Sequence, residues 1–244
     1  MNKTSIIQLQ NVSKIFRIPC EKRDTLKENI INLHKRVKYN HLYALKNINF
    51  NVNNGDFIGI IGRNGSGKST LLKIIANIYT PTIGKLKISG AISPFLELGI
   101  GFNAELTARE NVYLNGVILG LSRKEIDGKY ENIVRFAELE NFMGMKLKNF
   151  SSGMQLRLAF TVAIQIDADI YLCDEVLSVG DEAFQKKCLE TFKKLKEKGK
   201  TIIFVSHDLE NIRKFCDKTA FMEDGVIKDY GNTNKIVEKY LSNI

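Results

Sequence analysis

The chain switches between two kinds of hydrophobic spacing, and each switch marks an element. Residues 6–12 and 15–18 read as strand material. Residues 43–52 alternate apolar with polar positions, which predicts a strand open to solvent on one side. Between these stretches, 22–38 takes a helical period: Leu26, Ile30, Leu33 and Val37 fall at steps of four, three and four, and Asp24 can cap the helix. A turn over Asn53, Asn54, Gly55 and Asp56 leads into Phe57, Ile58, Gly59, Ile60 and Ile61, the unbroken apolar run of a strand buried on both faces.

The remaining pattern predicts a helix over 68–78, a strand over 85–89 and a Gly-rich irregular stretch to 103. Two or three helices follow within 107–146, and another starts after Ser151, Ser152 and Gly153. Strand 169–173, helix 182–198, strand 201–205, helix 208–215 and strand 218–222 come next, then a helical pattern at 233–241. Such alternation predicts an α/β fold with a parallel sheet and crossover helices. One domain over 1–244 is expected, with 20–42 as an inserted basic amphipathic segment and a helical lobe at about 95–165.

Composition narrows this picture only slightly. An apolar share of 44% and a charged share of 26% exclude wholesale disorder. No stretch approaches the ~18 apolar residues of a membrane span. The opening residues lack a secretory apolar run, so a cytosolic location is expected. Cys20, Cys173, Cys188 and Cys216 are far apart and are expected as reduced core thiols. The net charge of +9 is uneven, because residues 1–46 hold ten Lys/Arg against Glu21, Asp24 and Glu28. That basic end suits nucleic acid, an anionic membrane or an acidic partner, or is a solvated lysine-rich face.

The chemistry sits between the elements. Gly62-Arg63-Asn64-Gly65-Ser66-Gly67-Lys68-Ser69, followed by Thr70, fits GxxxxGK[ST] between an apolar strand and an amphipathic helix. Glycines let backbone N–H groups wrap a polyphosphate, and the helix start presents positive charge to it. Lys68 is expected at the β- and γ-phosphates of ATP and the Ser69 hydroxyl at Mg²⁺. Residues 170–173 end in Asp174 and Glu175, two acids at the tip of an apolar strand. Asp174 is the expected Mg²⁺ ligand and Glu175 the general base for water. Ser151, Ser152 and Gly153, just before a helix, read by themselves as a cap or an anion site.

These motifs, with Gln155 and Arg157, Ser178-Val179-Gly180-Asp181 and Val205-Ser206-His207-Asp208, occur in an order and spacing that resemble the ATP-binding-cassette ATPases over almost the whole chain. The resemblance implies a P-loop core with a mixed, largely parallel sheet, an N-terminal antiparallel part and an inserted helical lobe. It implies a homodimer in which Ser151 and Gly153 reach the γ-phosphate held by the other subunit. In the same comparison Asp181 matches a loop linking the two sites, His207 a histidine at the γ-phosphate, and Phe16 an aromatic that stacks on adenine, with Tyr39 and Tyr43 nearby.

Two departures refine the resemblance. The signature commonly reads Leu-Ser-Gly-Gly-Gln, whereas Phe150, Ser152 and Met154 stand here. The glutamine usual after strand 85–93 is absent, with Glu97 or Leu98 nearest by count. Residues 95–102, 105–116, 151–160 and 174–181 resemble the polysaccharide-exporter branch, which moves O-antigen, capsule or teichoic acid polymers on lipid carriers. That implies integral membrane transporter subunits as partners, a lipid-linked polysaccharide as cargo, no nucleic acid, and a peripheral place on the cytoplasmic membrane face. Segment 20–42 is expected to dock at the membrane or on that partner, or to cover its own sheet. Competing expectations are a cassette ATPase for another cargo, or a non-transport one acting on nucleic acid or the ribosome.

Overall fold

The computed structural model describes residues 4–19, 38–95, 98–174 and 180–242. The expected helix at 22–38 lies outside them, save Lys38, as do Cys20 and Glu97.

Two sheets stack around one helix. β1 (Ser5–Pro19) pairs antiparallel with β2 (Tyr39–Asn53) along its length, from Ser5↔Asn53 to Pro19↔Tyr39. The gap between the two predicted N-terminal strands is therefore not a break. Asn11 and Asn47 both take left-handed φ of 51° at register shifts, so one long strand bends there. Residues 39–42 belong to β2 rather than to the inserted segment. β4 (Ile83–Ile88) completes this sheet on the other side of β1.

The second sheet runs β5-β6-β7-β3-β8-β9, from β3 (Phe57–Ile61), β5 (Ile92–Phe95), β6 (Ile170–Asp174), β7 (Thr201–Val205), β8 (Lys218–Glu223) and β9 (Val226–Asn232). All of its pairings are parallel except β8 with β9. β5 and β9 depart from the predicted pattern. β5 is four residues long inside the stretch read as irregular. β9 is only half-buried along most of its length and returns through Asp224 and Gly225, both at positive φ (48° and 80°), as a tight Asp-Gly hairpin turn.

Because side chains alternate across a strand, each central strand feeds two cores. Tyr171, Cys173, Phe57 and Phe204 face a core with Phe184 and Phe192 of α5 (Glu182–Glu197) and Ile212 of α6 (Leu209–Phe215). Ile58, Ile60, Ile170, Leu172 and Ile203 face the antiparallel sheet across α1 (Lys68–Ile75), whose Leu71, Leu72, Ile74 and Ile75 are fully buried. Each such aliphatic side chain contributes roughly 1.5–3 kcal/mol. Cys173, Cys188 and Cys216 are free and buried, as expected of core thiols.

A third core joins α2 (Ala108–Ile118), α3 (Arg123–Ala137) and α4 (Ser152–Ala163). α2 and α3 start in capping boxes, Thr107 with Glu110 and Ser122 with Glu125. α7 (Thr233–Ser242) closes the described chain.

Candidate functional site

Parallel pairing sends the carboxyl ends of β6, β7 and β3 to one edge, and the strand order sets what stands where. β7 lies between β6 and β3. Ser206 and His207 therefore emerge between Asp174 at the end of β6 and Gly62 after β3. At roughly 4.8 Å per strand, the flanking ends are about 10 Å apart. Asp208 caps α6, its Oδ1 accepting from the N–H groups of Glu210 and Asn211, while its own N–H donates to Ser206 Oγ at 3.0 Å. That pins the turn carrying exposed His207. Asp174 is half-buried.

The loop after β3 requires glycine. Gly62, Gly65 and Gly67 have φ of 150°, 79° and 103°. A Cβ on Gly62 would sit 2.2 Å from Met222 O, and one on Gly67 2.7 Å from Ala44 O. Gly67 caps α1 without any side-chain acceptor, so the first-turn N–H groups face outward unclaimed by a cap. Lys68 is only 6% exposed, and its Nζ donates to Gly62 O at 2.8 Å and Arg63 O at 3.0 Å. Ser66 Oγ is buried without a hydrogen-bond partner.

Asn64, Gly65 and Gly67 through Thr70 line a cavity of about 630 Å³ with Phe16, Leu42, Tyr43, Ala44, Lys46, Asp224 and Gly225. Outward N–H groups and a cation fit a polyphosphate. Among the described residues no cluster of three or more His, Cys, Asp or Glu could hold a metal alone. Ser69 with Asp174 supplies hard oxygens in the incomplete set that suits Mg²⁺, which takes the rest from phosphate and water.

Phe16 lies on the cavity wall, edge-on to Tyr79 at 5.5 Å with the Lys14 ammonium 5.2 Å from its ring. Tyr43 lines the same cavity and is 53% exposed, whereas Tyr39 is not among the lining residues.

The second motif sits elsewhere. α4 begins at Ser152, before Gly153 rather than after it, because the Ser151 hydroxyl accepts from Met154 N at 3.2 Å and so caps the helix there. Ser151, Ser152, Gly153 and Asp181 line a cavity of about 580 Å³ that shares no residue with the first. Asp181 caps α5 through Phe184 N and pairs with Arg157 at 2.6 Å. Those two contacts, the backbone N–H first, hold its carboxyl below the usual range. Arg157 also pairs with Glu138 at 3.1 Å and lies over Phe184, tying α4 to α5. Glu175 and Ser178 lie outside the described residues.

Sequence reasoning missed Asp224 and Gly225 at the first cavity, although Asp-Gly between two strands is a hairpin signal. It also missed buried Asn111 and Asn115 of α2. The Asn111 amide bonds to Asn103, Leu106 and Thr107, and that of Asn115 to Ile100 O at 2.6 Å, so both hold the irregular stretch beyond β5. No local pattern marks them.

The profile of the ABC transporter family matches residues 45–178. Over 197 residues, 81% of this chain, the sequence is 46% identical to the O-antigen export system ATP-binding protein RfbB of Myxococcus xanthus, of which the match spans 45%. It is 43% identical over the same length to RfbB of Klebsiella pneumoniae, spanning 80% of that protein. A dimeric ATP-binding cassette in a post-hydrolysis state, bound to ADP and Pi, superposes with a TM-score of 0.74 at 28% identity, over 93% of this chain and 98% of the other.

Proposed function

Since the chain belongs to the ABC transporter family, we propose that it is the ATP-hydrolysing subunit of a polysaccharide exporter, acting as a homodimer on a separate membrane-spanning partner. Its cargo is a lipid-linked polymer of O-antigen, capsule or teichoic acid type, a reading supported by the names of its relatives. No helix among the described residues is long and apolar enough to cross a membrane. The subunit works peripherally, on the cytoplasmic face.

The observation that carries this reading is the separation of the two cavities, one at the glycine loop and one at Ser151. Each resembles half of an anion site. A second copy turned head to tail completes both: the loop of one protomer meets the Ser151 helix start of its twin around one nucleotide.

Within a half-site the roles divide by chemistry. Gly62 to Thr70, with Arg63, Asn64, Gly65, Ser66 and Gly67 between, wrap the phosphates through backbone N–H groups, and the Lys68 ammonium balances their charge. Phe16 stacks on the base. Ser69 and Asp174 hold Mg²⁺, which neutralises charge on the β- and γ-phosphates. Glu175 takes the proton of the attacking water, and His207 steadies the γ-phosphate from between the two strand ends. Ser151, Ser152 and Gly153 reach across from the other protomer, and Asp181 links the halves. Closure and reopening of the pair drive the membrane partner.

Glu175→Gln tests the assignment. ATP binding should survive, turnover should fall at least about a hundredfold, and a closed dimer should accumulate with ATP in size-exclusion chromatography. Hydrolysis at the parent rate would discard Glu175 as the base. Export is tested in cells carrying the same variant, where the surface glycan should be lost; an undiminished glycan would discard the transport role.

A further inference from the structure

The turn between β8 and β9 stands apart from every motif, yet it touches both walls of the first cavity. Gly225 N donates to Ser66 O at 3.1 Å, inside the glycine loop. Gly225 O accepts from Lys46 N at 2.8 Å, on β2. One peptide unit on each side of Gly225 therefore bridges the phosphate wall to the wall that carries Leu42, Tyr43 and Lys46.

The packing is equally close. A Cβ on Gly225 would lie 2.8 Å from Ala44 O, and Gly225 has a φ of 80°. The same Ala44 O would lie 2.7 Å from a Cβ on Gly67. The Ala44 carbonyl is thus wedged between the last glycine of the loop and the turn glycine, with backbone on all three sides. Backbone cannot rotate away as a flexible side chain can, so a single added methyl must push strand and turn apart. The strand bends here: Asn47, one residue past Lys46, has a left-handed φ of 51°, and the β1–β2 register shifts between Val12 and Lys14.

We propose that Gly225 is a positioning residue for nucleotide binding: it holds the base-side wall on β2 in register with the phosphate loop, so that one ligand can engage both at once. The inference rests on the nucleotide occupying the cavity of 62–70. A ligand that uses only the loop does not need the bridge, whereas a ligand that spans loop and base wall does. Inorganic tripolyphosphate is the first kind and ATP the second.

The test compares the two ligands by calorimetry on the full chain. Gly225→Ala should weaken ATP binding roughly tenfold, the scale of a sub-ångström misplacement, and leave tripolyphosphate binding unchanged. Turnover should show the loss as a raised KM with kcat largely kept. Lys46→Pro and Lys46→Ala give an independent arm that does not touch the glycine. Both remove the ammonium, but only proline removes the N–H that donates to Gly225. Lys46→Pro should show the same selective loss of ATP relative to Lys46→Ala. Equal weakening of ATP and tripolyphosphate in Gly225→Ala, or indistinguishable ligand ratios in the two Lys46 variants, would overturn the bridge. A parent chain that binds neither ligand would instead overturn the nucleotide reading on which the bridge rests.

Discussion

Two helix starts in this molecule face candidate anion sites, and they are built in opposite ways. At α1 the capping residue is Gly67, which brings no acceptor, and the adjoining Lys68 is buried against two loop carbonyls. At α4 the cap is exposed Ser151, whose own hydroxyl already satisfies Met154 N, and Gln155 Nε2 is spent on Leu147 O and Phe150 O. The first start is buried and has no side-chain cap; the second is capped and open to solvent. The contrast teaches that the loop presents its charge from a buried frame, while at the Ser151 end the hydroxyl caps the helix with a lone pair and keeps its O–H to donate to an anion. A buried half facing an exposed half suits the dimer proposed above.

The largest break in that contrast comes from Lys68→Ala. It removes the ammonium from the buried half, and ATP turnover should fall at least about a hundredfold. A phosphate-release assay that found more than a tenth of parent activity would remove Lys68 from the site. Ser151→Asp sharpens the other half. Aspartate caps as well as serine, so melting stability should stay within about 0.5 kcal/mol. Its carboxylate would oppose a γ-phosphate arriving from a twin, and the ATP-induced dimer should vanish at least tenfold in light scattering. If that dimer persists, α4 does not face a phosphate.

The smallest effect concerns the link between the lobes. Asp181 has a folded-state value below the ordinary 3.8. Its contribution is therefore present above that value and fades as pH drops through the lower folded one. Asp181→Asn should lower melting slightly at neutral pH, with the gap to the parent closing as pH falls below about 4, so that its acid limb is flatter. An acid limb identical to the parent's would show that the Arg157 pair does nothing for stability.

Each half was legible to a different degree. Residues 62–70 announce themselves, because only glycine tolerates those dihedrals and only a lysine and a hydroxyl serve phosphate and metal, so the chemistry dictates the letters. The Ser151 segment was ambiguous by itself, since a capping serine and an anion-binding serine look the same in sequence. The boundary misplaced there by two residues follows from that ambiguity. β5 escaped notice because four residues are too few to establish a period. β9 did so because its half-buried positions, with a Gly and two Asn or Asp among them, lack strand composition.

The amino-acid order alone determined the α/β class, the buried strands, the glycine loop and the adjacent acids Asp174 and Glu175, since each depends on spacings within a few residues. Strand order, the place of His207 between Asp174 and Gly62, the separation of the two cavities and the bridge through Gly225 were decided only by tertiary structure. Those features join residues far apart in the chain: Ser66, Lys46 and Gly225 meet because their backbones hydrogen-bond through the turn, and a backbone contact leaves no trace in the letters except a glycine where nothing larger fits.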